Sequence, residues 1–141
     1  EREKIVSPGE VRQNKFALDR SGAAFSCARV FAITSESKDT PLIWLLGLLN
    51  SRLIEFFLHK TAPLKQGRYF SYSAGVLDNI PIKVPDNRKA LMTIVENILK
   101  EKCRNPNADT SLQERQIDEH IYRLYDLRQE EIKIVENSLQ A

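Results

Sequence analysis

Between Leu64 and Ala74 the chain gathers Lys65, Gln66, Arg68, Ser71 and Ser73, interleaved with Tyr69, Phe70 and Tyr72. Lysine and arginine donate to guanine O6 and N7, glutamine pairs with adenine N6 and N7, and hydroxyls reach phosphate oxygens. The set therefore suits direct reading of a duplex, with Arg68 as the natural bidentate partner of a guanine. The same residues also suit a solvated loop whose aromatics turn into the core. Arg12, Asn14 and Lys15 form a second, weaker cluster, fit for a phosphate contact or for a plain solvated turn.

Bond-making chemistry is harder to place. A base-methylating site needs an Asn/Asp-Pro-Pro-aromatic loop and a glycine-rich turn for its cofactor; Asn105-Pro106-Asn107 lacks the second proline and the aromatic, and none of the five glycines forms a phosphate or cofactor loop. Pro85-Asp86 and Glu131-Ile132-Lys133 spell the letters of a metal nuclease. Each carboxylate has a structural reading too, Asp86 as a helix N-cap and Glu131 as first-turn helix charge. His59 and His120 lack partners at metal-ligand spacing and read as surface or cap histidines. Cys27 and Cys103 belong to no CxxC pair and read as reduced thiols. The expectation is a chain with no catalytic residues, no metal site and no cofactor of its own.

Charge is distributed unevenly. Residues 1–100 carry 15 Lys or Arg against 10 Asp or Glu, whereas residues 101–141 carry 6 against 9, so an anionic partner would meet the front of the chain. With 42% hydrophobic and 28% charged residues the composition is that of an ordinary globular protein. The apolar run Leu42–Leu49 is cut by Asn50, Ser51 and Arg52, too short for a membrane span, and no signal peptide is expected. A cytoplasmic protein is expected, and its start at Glu1 reads as an excised piece.

The elements that must hold these residues follow from periodicity. Lys4–Val6 reads as a strand stopped by Ser7-Pro8-Gly9, and Phe16–Leu18 with Ala24–Thr34 as a hairpin, Phe25, Cys27, Arg29, Phe31 and Ile33 alternating along its second strand. Thr40-Pro41 starts a helix that runs to His59, apolar almost all round and hence buried. The polar loop is next, then a strand over Val76–Val84 that Pro81 confines to an edge. A helix starts at Pro85-Asp86, with Leu91, Ile94, Val95, Ile98 and Leu99 as its stripe. Residues 104–110 read as a linker, and the capping box Ser111-Leu-Gln-Glu114 opens a helical hairpin broken at Asp126-Leu127.

In that order, Leu45–Leu58 with its Leu-Asn-Ser-Arg core, Gly67–Ile82 (GRYFSYSAGVLDNIPI) and Gln116–Val135 (QIDEHIYRLYDLRQEEIKIV) resemble the TaqI-like C-terminal specificity domain. That domain is the target recognition domain of adenine-N6 DNA methyltransferases and of fused restriction–modification enzymes. The resemblance implies binding of double-stranded DNA in the major groove, with S-adenosylmethionine bound and a flipped adenine methylated by a separate N-terminal methyltransferase domain of the same polypeptide. Asn50-Ser51-Arg52 matches that family's signature, and its role reads as structural, since polar residues in a buried helix hydrogen-bond nearby backbone.

The expected fold is α+β, a small mainly antiparallel sheet packed on a long buried helix. Residues 1–103 would form the recognition core, 104–110 a linker, and 111–141 a helical hairpin packed on the core. The expected DNA-binding set is Lys65, Gln66, Arg68, Tyr69, Ser71, Tyr72 and Ser73 with Arg12, Asn14 and Lys15. A protein-interaction module, such as part of a type I specificity subunit docking through the apolar helix and the acidic hairpin, is the alternative.

Overall fold

A computed structural model describes residues 3–21 and 30–140. Strand β1 (Lys4–Pro8) runs past the expected stop at Ser7, and after Gly9 the chain enters a second sheet as β2 (Glu10–Val11). Strands β3 (Ala17–Asp19) and β4 (Val30–Ile33) follow. The described parts of these two strands do not pair with each other as a hairpin. Both are antiparallel to β1, which lies between them, with Ile5 opposite Leu18 on one side and Ile33 on the other. Ile5 is fully buried, so the apolar centre of the sheet is β1. Phe25, Cys27 and Arg29 lie outside the described residues.

The expected long helix is two. Helix α1 (Leu42–Leu49) and helix α2 (Arg52–Thr61) meet at an angle of 64°. Asn50 and Ser51 make the break. Ser51 caps α2, its Oγ accepting from the Ile54 N–H at 3.4 Å while donating to the Leu48 carbonyl at 2.6 Å. Among the described residues no single helix is long and apolar enough to cross a membrane; α1 and α2 reach that composition only as a bent pair, and every residue from Ile43 to Leu49 is buried in the protein's own interior.

Beyond α2, β5 (Leu64–Lys65) and β6 (Tyr69–Ser71) form a hairpin, and β6 also pairs with β2 to complete a second antiparallel sheet in the order β2-β6-β5. The expected strand over Val76–Val84 is absent. Its first part is a one-turn helix, α3 (Ala74–Leu77), because the Ser73 Oγ accepts from the Val76 N–H at 3.3 Å and starts a turn there. The remainder turns at Asp78-Asn79, buries Ile80 in the core and leaves residues 81–84 exposed, with no neighbouring strand among the described residues. It is held instead by the Tyr125 hydroxyl, which donates to the Pro81 carbonyl at 2.6 Å and accepts from the Lys83 N–H at 3.0 Å.

Helix α4 (Lys89–Arg104) begins three residues beyond Asp86, which is therefore not its N-cap; the Asn87 Oδ1 accepts from the Lys89 N–H at 3.1 Å. Leu91 and Val95 lie against α1 at Gly47, where a Cβ would stand 2.7 Å from Val95 Cγ2. Glycine is what lets the two helices approach so closely. Helices α5 (Ser111–Leu124) and α6 (Gln129–Gln140) close the fold, with Ile117 and Ile121 joining the α1 core. Asp126, in the left-handed region at φ 55°, turns the chain between them. The architecture is thus α+β, with α1 as its centre.

Candidate functional site

The hairpin is built by its turn. Lys65 pairs with Tyr69 and Leu64 with Phe70, leaving Gln66-Gly67-Arg68 to reverse the chain, with Gly67 at φ 79° and Arg68 at φ 64°. Glycine adopts that conformation without strain, whereas a side chain as long as arginine is held there at a cost on the order of 1 kcal/mol. Pairing of β6 with β2 sets Glu10 opposite Ser71 and Val11 opposite Phe70, so Arg12, the next residue, leaves the sheet beside Tyr69. Side chains alternate across a sheet. Lys65 and Tyr69 consequently share the outer face, with Arg12 beside them, while Leu64, Phe70 and Val11 share the other, where Val11 is buried and Leu64, at the edge, is 64% exposed.

On the outer face the Arg12 guanidinium carbon lies 4.7 Å from the centre of the Tyr69 ring, a cation–π contact. On the inner face Phe70 stacks face to face on His59 of α2, ring centres 3.9 Å apart and planes 7° apart. His59 is thus neither a free surface residue nor a cap. Burial holds its pKa below the ordinary histidine value, against the opposing pull of Glu55, and its Nε2 has no partner among the described residues. It serves as a neutral ring behind the hairpin.

Lys65, Gln66, Arg68, Tyr69 and Arg12 are brought together and exposed. Lys15 is exposed in the segment after Arg12, and Ser71 is half-buried in β6. Ser73 is exposed, with its oxygen engaged as the cap of α3. Two members of the expected set face the other way. Tyr72 is only 1% exposed, and its hydroxyl donates to Asn14 Oδ1. The Asn14 amide nitrogen in turn donates to the Leu49 carbonyl at 2.8 Å, and its backbone N–H donates to Glu55 Oε1 at 2.8 Å. Burial, aided by Glu55, pushes the Tyr72 phenol well above its usual range. Both residues are spent on joining β6 to the end of α1, so the structure does not place them with the exposed members of the expected set.

The frame behind the hairpin depends on residues that periodicity does not single out. Asn50 brackets the backbone of Phe16, Oδ1 accepting from its N–H at 3.0 Å and Nδ2 donating to its carbonyl at 2.9 Å. The Arg52 N–H donates to Asp118 Oδ1 of α5 at 2.9 Å, and the Arg52 guanidinium lies 3.6 Å from the other carboxylate oxygen. The bend is thereby tied to β3 on one side and to α5 on the other. Desolvation nonetheless pushes the Asp118 carboxyl up to about 6, outweighing both contributions of Arg52, with Glu136 and Glu114 adding to the rise.

Among the described residues Lys4, Arg20, Arg52, Lys83, Arg88 and Arg128 have carboxylate partners; Arg12, Lys65 and Arg68 have none, as is also true of other cations such as Lys15, Lys60 and Lys100. No three potential metal ligands gather there. Glu131 is engaged locally, accepting from Arg128 N–H and Nε at 2.9 and 3.1 Å, which hold its carboxyl below the usual range.

A family model for the TaqI-like C-terminal specificity domain matches residues 1–82, more than half of the chain. The match takes in both sheets and α1 to α3 and ends before α4. No curated protein matches the sequence.

Proposed function

The chain belongs to the TaqI-like C-terminal specificity domain family, and from that membership we propose that it reads duplex DNA through the β5–β6 hairpin as the recognition part of a restriction–modification enzyme. The family supports the DNA-recognition role. The observation that carries the assignment to the hairpin is the exposed group of Arg12, Tyr69 and Lys65, flanked by Arg68, in which no cation is neutralised by a carboxylate among the described residues. A major groove about 12 Å wide admits a two-stranded ribbon of this kind. Lys65, Gln66, Arg68 and Arg12 then supply donors to base edges and phosphates, Tyr69 a stacking surface, and Lys15, Ser71 and Ser73 contacts to the backbone.

The proposed chain contributes recognition and no catalytic group. Methylation of a flipped adenine belongs, in this reading, to an N-terminal methyltransferase domain of the same cytoplasmic polypeptide. S-adenosylmethionine belongs there too, as the family resemblance implies.

The test is binding of the chain to mixed-sequence duplexes over a range of salt. Affinity should fall with a log–log slope of about −0.9 for each phosphate neutralised. The competing idea, docking on a partner subunit, loses the apolar helix, since α1 is consumed by the protein's own core. It keeps Leu112 and Ile134, exposed on α5 and α6, and would show no such slope. Salt-independent binding to protein, with none to DNA, would replace the first reading by the second.

A further inference from the structure

We infer that Arg12 reads a base, a guanine in the major groove, and that Tyr69 is the positioning residue that aims it. The inference rests on the DNA-reading role proposed for the hairpin and assigns roles within it. Two observations carry it. β2 pairs with β6 as far as Val11 opposite Phe70, and Tyr69 is held in the hairpin by pairing with Lys65, so Arg12, the residue after Val11, leaves the sheet beside Tyr69. The guanidinium lies 4.7 Å from the ring centre.

Stacking occupies the face of a guanidinium and leaves its N–H edge free. That edge is the part that donates to guanine O6 and N7, and an arginine whose rotamer is already set loses less freedom on forming the pair. Lys65 and Arg68 have no comparable support among the described residues: neither makes a side-chain hydrogen bond, ion pair or ring contact. A cation on a free stem suits a phosphate, which accepts from many directions. The guanine contact expected of Arg68 from sequence therefore moves to Arg12, and the phosphate contact expected of Arg12 moves to Lys65 and Arg68.

The experiment selects bound duplexes from a randomised pool with the 141-residue chain and sequences them, for the wild type and for Arg12→Lys, Tyr69→Leu and Tyr69→Phe. Arg12→Lys keeps the charge and loses the fork. It should lose on the order of tenfold preference for a G·C pair at one position and leave the salt slope unchanged. Tyr69→Leu should weaken preference at that same position by roughly two- to fivefold, the equilibrium worth of an exposed cation–π contact, while Tyr69→Phe keeps the wild-type preference. A merely structural role for Tyr69 would lower thermal stability and affinity at every position alike. Retention of every positional preference in Arg12→Lys, or identical behaviour of the Leu and Phe variants, overturns the inference while the DNA-reading role stands. Failure of the wild type to enrich any duplex overturns both.

Discussion

Tyr72 and Asn14 separate a recognition residue from a supporting one. Truncating Asn14 to alanine strands two groups at once, the buried Tyr72 hydroxyl and the Leu49 carbonyl at the end of α1. Each orphaned buried group costs about 1–3 kcal/mol, so Asn14→Ala should destabilise the fold by about 3 kcal/mol. Tyr72→Phe removes only the donor and leaves a half-buried amide oxygen that water can reach, for about 1 kcal/mol. At a urea dependence of about 1.5 kcal/mol per molar, the unfolding midpoints should drop by about 2 M and 0.7 M respectively, with unchanged slopes. In the double variant no hydroxyl is left stranded, so its loss should fall short of the sum by about 1 kcal/mol. DNA affinity measured well below the midpoints should stay within about twofold of wild type for Tyr72→Phe, because the removed oxygen faces Asn14 and not solvent. A variant with an unmoved midpoint and roughly tenfold weaker DNA binding, the cost of a lost base contact, would refute the assignment.

Asp118 gives a pH signature. Its carboxyl binds a proton more tightly in the folded chain than in the unfolded one, so its contribution to stability is full below the ordinary value of 3.8 and is lost as pH rises through about 6. The change is on the order of 2–3 kcal/mol, and the difference in urea midpoint between wild type and Asp118→Asn, followed from pH 4 to pH 7, should report it while other carboxylates cancel. A difference that does not vary with pH would show that desolvation does not dominate there. Gly47→Ala should cost about 1–3 kcal/mol by forcing Val95 aside, and Gly47→Ala combined with Val95→Ala should recover part of that loss in thermal unfolding.

The buried helix was legible because Leu42–Leu49 is apolar all round, and α4 because Leu91, Ile94, Val95, Ile98 and Leu99 hold one stripe. The bend was not read, since neither Asn50 nor Ser51 is a helix breaker by type and the apolar pattern continues beyond them. A signal was present in Ser51, a preferred N-cap, but the bonds that make the bend useful, Asn50 to Phe16 and Arg52 to Asp118, span 34 and 66 residues. Val76–Val84 reads from sequence as a strand that Pro81 confines to an edge; a strand also needs a neighbour, and in the fold the Tyr125 hydroxyl takes that place at residues 81–83. The inward turn of Tyr72 was available from parity, because it shares its side with Phe70 two residues earlier. Asn14 offered no comparable hint. Its type suits a turn as well as a hub, and only the fold brings Leu49, Glu55 and Tyr72 to it.

The tip of the hairpin has a consequence for how such a chain can change. Among the described residues Lys65, Gln66 and Arg68 make no side-chain hydrogen bond or ion pair, while the bonds that hold the frame belong to Asn14, Asn50, Arg52 and Tyr72. Replacing a tip residue strands no buried donor or acceptor; Gly67 and Arg68, both at positive φ, are the tip positions whose backbone restricts exchange. In the proposed DNA-reading role, new preferences are therefore open to single substitutions, at Lys65 and Gln66 above all, that leave folding intact, so a lineage would drift from one target sequence to another without crossing an unfolded intermediate. Variation and constraint are assigned to different residues of one short ribbon.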